Sequence, residues 1–468
     1  MPSWSQVFSP TYVVHMLAKL LGQTSLGDAN GSLTVTDNRT GKQYTIPINR
    51  NTVKATDFRR ITAAGLGADP AEQLESGLKI FDRGYLNTAC MESNITFIDG
   101  NRGYIQYRDY SIDHLYLNHD FEDVMHLVVF GHLPSPSEKL NVRRALAKNM
   151  HPPQFVFDAV QAFPRDSSTF PMVMAGMAAY AALDPGTEAT HHEGRPFYLG
   201  NMKEVDAAII RTLSALATAV TITYCHKRGR EFTPADPEGS FIGNILLMMG
   251  FTKDGKPDPE VEASFEKFWI LYIDHEMTNS TAAVLHAAST LTDPISSVMS
   301  GLVSAYGPLH GGAIDLAYKG FEEVGTPENV HNLISDVKAK KQRLFGYGHR
   351  IYKTVDPRTK FLRAMIAEKK DLVDTNPLLR VAMEIDRVAN EDPYFTSRNL
   401  KANADLYGCF LYTALGFETD IIIALTCVTR NTGVLAHWRE AMQQGPMLWR
   451  PLQVFTGHVT APTSATRS

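Results

Sequence analysis

From Asp120 to Gln444, apolar residues recur at intervals of three and four in runs cut by proline or glycine, and this helical periodicity dominates the chain. It runs through Phe121 to Phe130, Ser137 to Met150, Phe155 to Ala162, Met172 to Leu183, Val205 to His226 and Val261 to Met277. Thr281 to Tyr306 then reads as one long apolar helix interrupted by Pro294 and ended by Gly307-Pro308. Further helical spacing covers Gly312 to Gly320, Thr326 to Lys340, Pro357 to Leu372, Pro377 to Asn390, Ala404 to Leu415 and Thr419 to Gln444. Strand signals are confined to the N-terminal part. Ser32 to Ile48 alternates around Asp37-Asn38 and Gly41 as a hairpin does, and Ile95 to Tyr107 sets β-branched and aromatic runs on either side of an Asp99 to Gly103 turn. The expected class is mainly α with a short β-containing segment.

A chain of 468 residues, 44% of them hydrophobic, exceeds one ordinary core and fits two or three domains. Its net charge of -5 comes from interspersed residues with no basic block, so neither nucleic acid nor an anionic membrane is the expected partner. The most apolar runs, Pro171 to Leu183 and Phe241 to Phe251, fall short of a membrane span. Cys90, Cys225, Cys409 and Cys427 lie far apart, without a Cys-x-x-Cys pair, which points to a reducing compartment and no structural zinc. A cytoplasmic location is expected. The N-terminal 27 residues, with one lysine, no arginine and no acid before Asp28, leave a mitochondrial address open, and the C-terminal Ala-Thr-Arg-Ser is not a Ser-Lys-Leu type of peroxisomal address.

Three stretches carry chemistry. In Arg343 to Arg358, Gly346 and Gly348 let the backbone approach a ligand, His349 offers a donor near neutral pH, and Arg350, Lys353 and Arg358 suit anions. Alone, it equally fits a glycine turn opening a basic helix. In Gly307-Pro-Leu-His310-Gly-Gly, the imidazole falls at a helix start, where the positive dipole end favours a neutral ring able to polarise a carbonyl; a turn-capping histidine is the plainer alternative. In Asn403-Ala-Asp405-Leu-Tyr-Gly, the aspartate reads either as an N-cap or as a base whose pKa is raised against Leu406 and Phe410. Together they supply a carboxylate base, two histidines for two carbonyls and arginines for carboxylates. That set suits carbon–carbon bond formation between an enolised thioester and a keto acid.

Gly307-Pro-Leu-His-Gly-Gly, Gly346-Tyr-Gly-His-Arg-Ile-Tyr-Lys with Asp356-Pro-Arg, Asn403-x-Asp, Arg430 and Arg450-Pro resemble the citrate synthase family. Cys90-Met-Glu-Ser-Asn-Ile-Thr-Phe-Ile-Asp-Gly and Asp274-His-Glu extend the resemblance from about Gly84 to Gly457. The resemblance implies that His310 polarises an acyl-CoA thioester carbonyl while Asp405 removes the α-proton, and that His349 polarises the keto group of oxaloacetate. His275, Arg358, Arg430 and Arg450 would bind oxaloacetate, Arg450 across a homodimer interface, and Gly346 and Lys353 would touch CoA. It also implies a two-domain fold: a large helical domain of residues 1–311 and 411–468, containing the β-containing segment 32–109, and a small inserted domain of residues 312–410. Acyl-CoA is then a substrate, and no cofactor is expected. The His191-His192 pair suggests a metal, but no His-Glu-x-x-His pattern supports one, including at His275-Glu276.

Departures from the family pattern bear on the acyl group. The family usually places Val before the base and Ser-Gly shortly after it, where this chain has Ala404 and Gly408-Cys409; Thr426 stands where citrate synthases commonly have Phe. Lost bulk suits an acyl chain longer than acetyl and so the alkylcitrate branch, with citrate and 2-methylcitrate synthesis as alternatives. A silent homologue that binds CoA or oxaloacetate as a regulator is the reading from another class.

Overall fold

The computed structural model describes residues 30–63, 77–369 and 374–457. The N-terminal and C-terminal address readings lie outside these residues, as does the end of the Pro357 to Leu372 run. The chain divides into two compact units, Met1–Glu92 with Pro451–Ser468, and Ser93–Arg450.

The first unit carries the expected hairpin. Gly31–Asp37 pairs antiparallel with Lys42–Asn49, from Gly31 opposite Ile48 to Asp37 opposite Lys42, and Thr52–Val53 adds a third strand. Asp37 closes the turn by accepting from the Arg39 backbone and guanidinium, while Gly41 takes φ 72° and donates to the Asp37 carbonyl at 2.7 Å.

The second unit opens with a small antiparallel sheet, Thr96–Asp99, Tyr104–Tyr107 and Tyr110–Ser111, and is helical thereafter. Its axis is helix Met202–Arg228, packed against Pro136–Asn149, Gln154–Gln161, Thr169–Ala181, Phe241–Met249 and Thr419–Gln444. Thr212 and Thr218 return their hydroxyls to carbonyls one turn back, and Ser214 donates to the Leu146 carbonyl, so the helix buries hydroxyls without unpaired donors at these positions. The apolar runs at Pro171 and Phe241 are short, as expected, in helices Thr169–Ala181 and Phe241–Met249, but helix Met202–Arg228, which is not among them, is long and apolar enough to cross a bilayer. It is covered by protein instead, with 78% of its most apolar window buried.

Two sequence expectations change where side chains supply the hydrogen bonds. Pro294 does not bend one long helix. Asp293 caps Ser296 at 2.7 Å and Pro294 starts a new helix, so Asn279–Ala288 and Pro294–Ala305 fold back as a hairpin. The helix expected to reach Met277 stops at Ile270, because the following backbone finds partners elsewhere: the Gly433 amide donates to the Ile273 carbonyl at 3.1 Å, the Tyr107 hydroxyl to the Asp274 carbonyl at 3.2 Å, and the Asp274 carboxylate accepts from the Glu276 amide. Helices Ile112–Asn118 and Pro185–Glu193 have no counterpart in the periodicity, and the apolar run at Phe241 is helix Phe241–Met249.

Between Ala313 and Ala414, helices Ala313–Val324, Val330–Lys338, Thr359–Glu368, Pro377–Glu391 and Asp405–Ala414 pack on one another, and Asp405–Ala414 also meets Thr419–Gln444. That last helix reaches the 273–274 segment because residue 433 has no side chain. A Cβ there would lie 2.4 Å from Asp274 Oδ1 and 2.5 Å from the Ile273 carbonyl oxygen. Gly433→Ala is therefore expected to destabilise the protein by about 1–3 kcal/mol, the usual cost of overpacking, read as a lower denaturant midpoint at unchanged m-value.

Candidate active site

Two of the three chemical stretches, those carrying His349 and Asp405, meet through short hydrogen bonds. The Gly348 amide donates to the Lys401 carbonyl at 2.7 Å, the Asn403 amide to the Gly346 carbonyl at 3.0 Å, and the Asn403 side chain to the Gly348 carbonyl at 2.9 Å. Both glycines take positive φ, 78° and 80°, and a Cβ on Gly346 would lie 2.9 Å from Leu406 Cα. Segment 346–348 thus lies against the start of helix Asp405–Ala414.

His349 Nδ1 accepts from the Ile351 amide at 3.1 Å and the Tyr352 amide at 3.4 Å, so the neutral ring carries its proton on Nε2, free to donate. Its ring lies edge-on to His275 at 5.3 Å between centroids, and His275 Nε2 meets the Tyr352 hydroxyl at 2.8 Å. Burial and then Arg358 hold His349 down at about 4, and burial, Arg358 and Arg430 hold His275 well below the usual imidazole range. Both rings are neutral at physiological pH.

The helical hairpin at Pro294 brings the third imidazole into place. Its first helix starts at Asn279 and its second ends at Ala305, so Ser280 lies beside the following turn, with its hydroxyl 2.9 Å from His310 Nε2. The turn is tight: a Cβ on Gly312 would lie 2.4 Å from the Tyr306 carbonyl oxygen. Burial, with Arg430, lowers His310 to about 4.

Arg358 is buried and grips Asp356 through Nε at 3.0 Å and Nη2 at 2.7 Å. Burial opposes ionisation of Asp356, but Arg358 holds it below the usual carboxylate range. Asp356 Oδ2 also accepts the Ala404 amide at 3.1 Å, which fixes the residue before Asp405. Arg430 donates Nε to the Tyr272 carbonyl at 2.7 Å and has no carboxylate partner among the described residues; burial lowers its pKa. Asp405 is the first residue of its helix, with Ala404 at the cap position, so it is not the N-cap. Its amide donates to Asn403 Oδ1 at 2.9 Å, and burial lifts its carboxyl to about 6 against the pull of Arg358 and Arg430. A carboxylate raised toward neutrality, neutral imidazoles and an unpaired guanidinium suit removal of a carbon-bound proton and polarisation of carbonyls next to carboxylates.

The remaining expected residues are less enclosed or differently engaged. Lys353 and Arg450 are exposed, the former donating its amide to the Gly100 carbonyl at 2.8 Å. Thr426 lies one turn before Arg430, half-buried, bonded to the Ile422 carbonyl and the Tyr412 hydroxyl. Ala404 is buried, and the bare face of Gly408 abuts the Tyr272 hydroxyl. Sequence reasoning missed Ser280, Tyr352 and Tyr272, and assigned no role to Asp356; only Tyr352 and Asp356 fall inside a quoted motif. His126, His132 and Glu138 form a further cluster with metal-ligand atoms within 4.8 Å, but His126 Nδ1 meets the His132 carbonyl and Glu138 closes a capping box with Ser135.

Residues 84–452 match the citrate synthase C-terminal domain family. The citrate synthase-like protein oryE of Aspergillus oryzae is 46% identical, over 91% of this chain and 96% of its own length. The alkylcitrate synthase phiJ of a fungal species is 38% identical, over 92% and 94%. The ternary complex of carboxymethyl coenzyme A and oxaloacetate with citrate synthase from Thermoplasma acidophilum superimposes with a TM-score of 0.72 at 28% identity, over 81% of this chain and 96% of that one. The chain belongs to the citrate synthase family, and it is a citrate synthase-family acyltransferase.

The raised carboxyl of Asp405 costs stability wherever it is ionised. With a folded pKa of about 6 against 3.8, the cost is absent below pH 3.8, grows between pH 4 and 6 and is full above, roughly 3 kcal/mol. Asp405→Asn is expected to raise the thermal midpoint at pH 7.5 and to lose that gain by pH 4. Its turnover should fall by about two to four powers of ten.

Proposed function

We propose that the protein condenses an acyl-CoA with oxaloacetate to give an alkylcitrate and free CoA, with an acyl chain longer than acetyl preferred. The observation that carries this reading is the pairing of a carboxyl lifted to about 6 at Asp405 with imidazoles held at about 4 at His310 and His349. Asp405 takes the α-proton, the C–H electron pair moves into the new C=C bond, and the thioester oxygen becomes that of an enol by taking a proton from His310, which recovers it when the enol attacks, with Ser280 fixing that ring. The enol carbon bonds to the keto carbon of oxaloacetate as the keto oxygen gains a hydrogen bond and then a proton from His349 Nε2. Water then cleaves the C–S bond, releasing CoA as the thiol. Arg358, Arg430 and His275 hold the carboxylates of oxaloacetate, while Gly346 and Lys353 lie on the CoA side. In the hydrolysis the water supplies both the oxygen of the new carboxyl group and the proton of the leaving thiol, and the scheme draws on no metal or cofactor.

The same reading includes a small domain of residues 312–410 that closes over oxaloacetate and excludes water, and a two-fold homodimer in which Arg450 of each subunit completes the other's carboxylate site. Arg450 is exposed in the single chain, as such a role requires. Mixing Arg450→Ala with Asp405→Asn is expected to restore activity through heterodimers with one intact site. No recovery after verified subunit exchange would remove the shared site.

The acyl preference rests on Thr426, a small side chain one turn before Arg430, and on relatives such as phiJ that are named alkylcitrate synthases. Each further methylene buried in such a pocket contributes roughly 0.8 kcal/mol. A thiol-release assay over acyl-CoAs of increasing length should show longer chains favoured over acetyl. In Thr426→Phe, the kcat/KM ratio of hexanoyl-CoA to acetyl-CoA should fall by roughly tenfold or more. An enzyme that prefers acetyl-CoA with an unchanged ratio would make plain citrate synthesis the reaction.

A further inference from the structure

We infer that Tyr272 is a positioning residue that locks the peptide before Asp405 to the Arg358 and Arg430 clamp, and that residue 408 is glycine to seat its hydroxyl. The inference rests on the proposed condensation and adds a residue to it.

Tyr272 lies just past the end of helix Pro259–Ile270 and is 4% exposed. Its hydroxyl donates to the Ala404 carbonyl at 3.2 Å, the same oxygen that takes the Gly408 amide at 3.0 Å. The Arg358 guanidinium lies over its ring at 5.4 Å from the centroid, and its own carbonyl accepts Arg430 Nε at 2.7 Å. One residue therefore touches the peptide preceding the proposed base and both arginines proposed for oxaloacetate, the buried Arg358 and the half-buried Arg430. Burial pushes its phenol well above the ordinary range, so it remains a donor.

The Asp405 carboxyl has no hydrogen bond among the described residues, so its place is set through its backbone. Three side chains hold that backbone: Asp356 on the Ala404 amide, Asn403 on the Asp405 amide and Tyr272 on the Ala404 carbonyl. Tyr272 alone also contacts both arginines. The seat is close-fitting, since a Cβ on Gly408 would lie 2.5 Å from the Tyr272 hydroxyl oxygen but 3.5 Å from Cζ. Lack of a side chain at 408 therefore makes room for tyrosine, not for an acyl chain.

A double-mutant cycle on the full chain tests this. Tyr272→Phe removes one oxygen and should lower kcat by about tenfold, the scale of a slightly misplaced base, while KM for oxaloacetate stays within twofold. Gly408→Ala should lower kcat at least as far, because its methyl displaces the hydroxyl. In Gly408→Ala/Tyr272→Phe the clash disappears with the oxygen, so kcat should be no lower than in Tyr272→Phe alone. A Tyr272→Phe enzyme within twofold of wild type, or two losses that multiply in the double variant, overturns the inference and leaves the condensation standing. A wild type that releases no thiol from any acyl-CoA with oxaloacetate sinks both.

Discussion

The buried pair of Asp356 and Arg358 is the interaction on which the site depends. Two charges two residues apart are taken out of water, and a bidentate grip satisfies both. Such a pair adds little net stability, but loss of either member would leave an uncompensated buried charge, at a cost of about 3–5 kcal/mol. Its use here is geometric. The second carboxylate oxygen reaches the Ala404 amide, so the ion pair ties the basic segment to the helix that begins with Asp405. The guanidinium's remaining face lies over Tyr272.

The same enclosure acts in opposite directions on acids and bases. Burial lifts the carboxyl of Asp405 and depresses the imidazoles of His275, His310 and His349, so one low-dielectric site yields a better proton acceptor and neutral hydrogen-bond donors. Arg358 and Arg430 oppose the first shift and reinforce the second, which keeps Asp405 largely ionised at neutral pH. A second buried pair, His437 with Asp274 at 3.3 Å, stands behind His275: burial resists charge on both, yet each drives its partner toward the ionised form. The segment that carries His275 is thereby tied to helix Thr419–Gln444 through a buried side-chain pair.

Much of this was legible from spacing alone. Helices Phe121–Phe130 and Thr419–Gln444 end where their periodicity ends, because Gly131 and Gly445 take positive φ there. The glycines around His310 and His349 marked close backbone approaches. What escaped was decided by contacts distant in sequence. Ser280 looks like any helix start until Pro294 folds the chain back to bring His310 beside it. Tyr272 read as the last turn of a helix that His437, Gly433 and Tyr107 end by claiming its backbone neighbours or their side chains. Gly408 looked like missing bulk because a side chain 136 positions earlier, Tyr272, occupies the space.

Helix Met202–Arg228 has a bearing on how the chain is made. Its apolar surface is covered partly by helices that precede it and partly by Thr419–Gln444, which begins 191 residues after it ends. At about 5–20 residues per second, that last cover emerges about 10–40 seconds later. For that interval a segment hydrophobic enough for a bilayer stands half-dressed on the nascent chain. The Thr212 and Thr218 hydroxyls, returned to carbonyls one turn back, do little to make that surface more polar, so until Thr419–Gln444 arrives the helix relies on the neighbours already made.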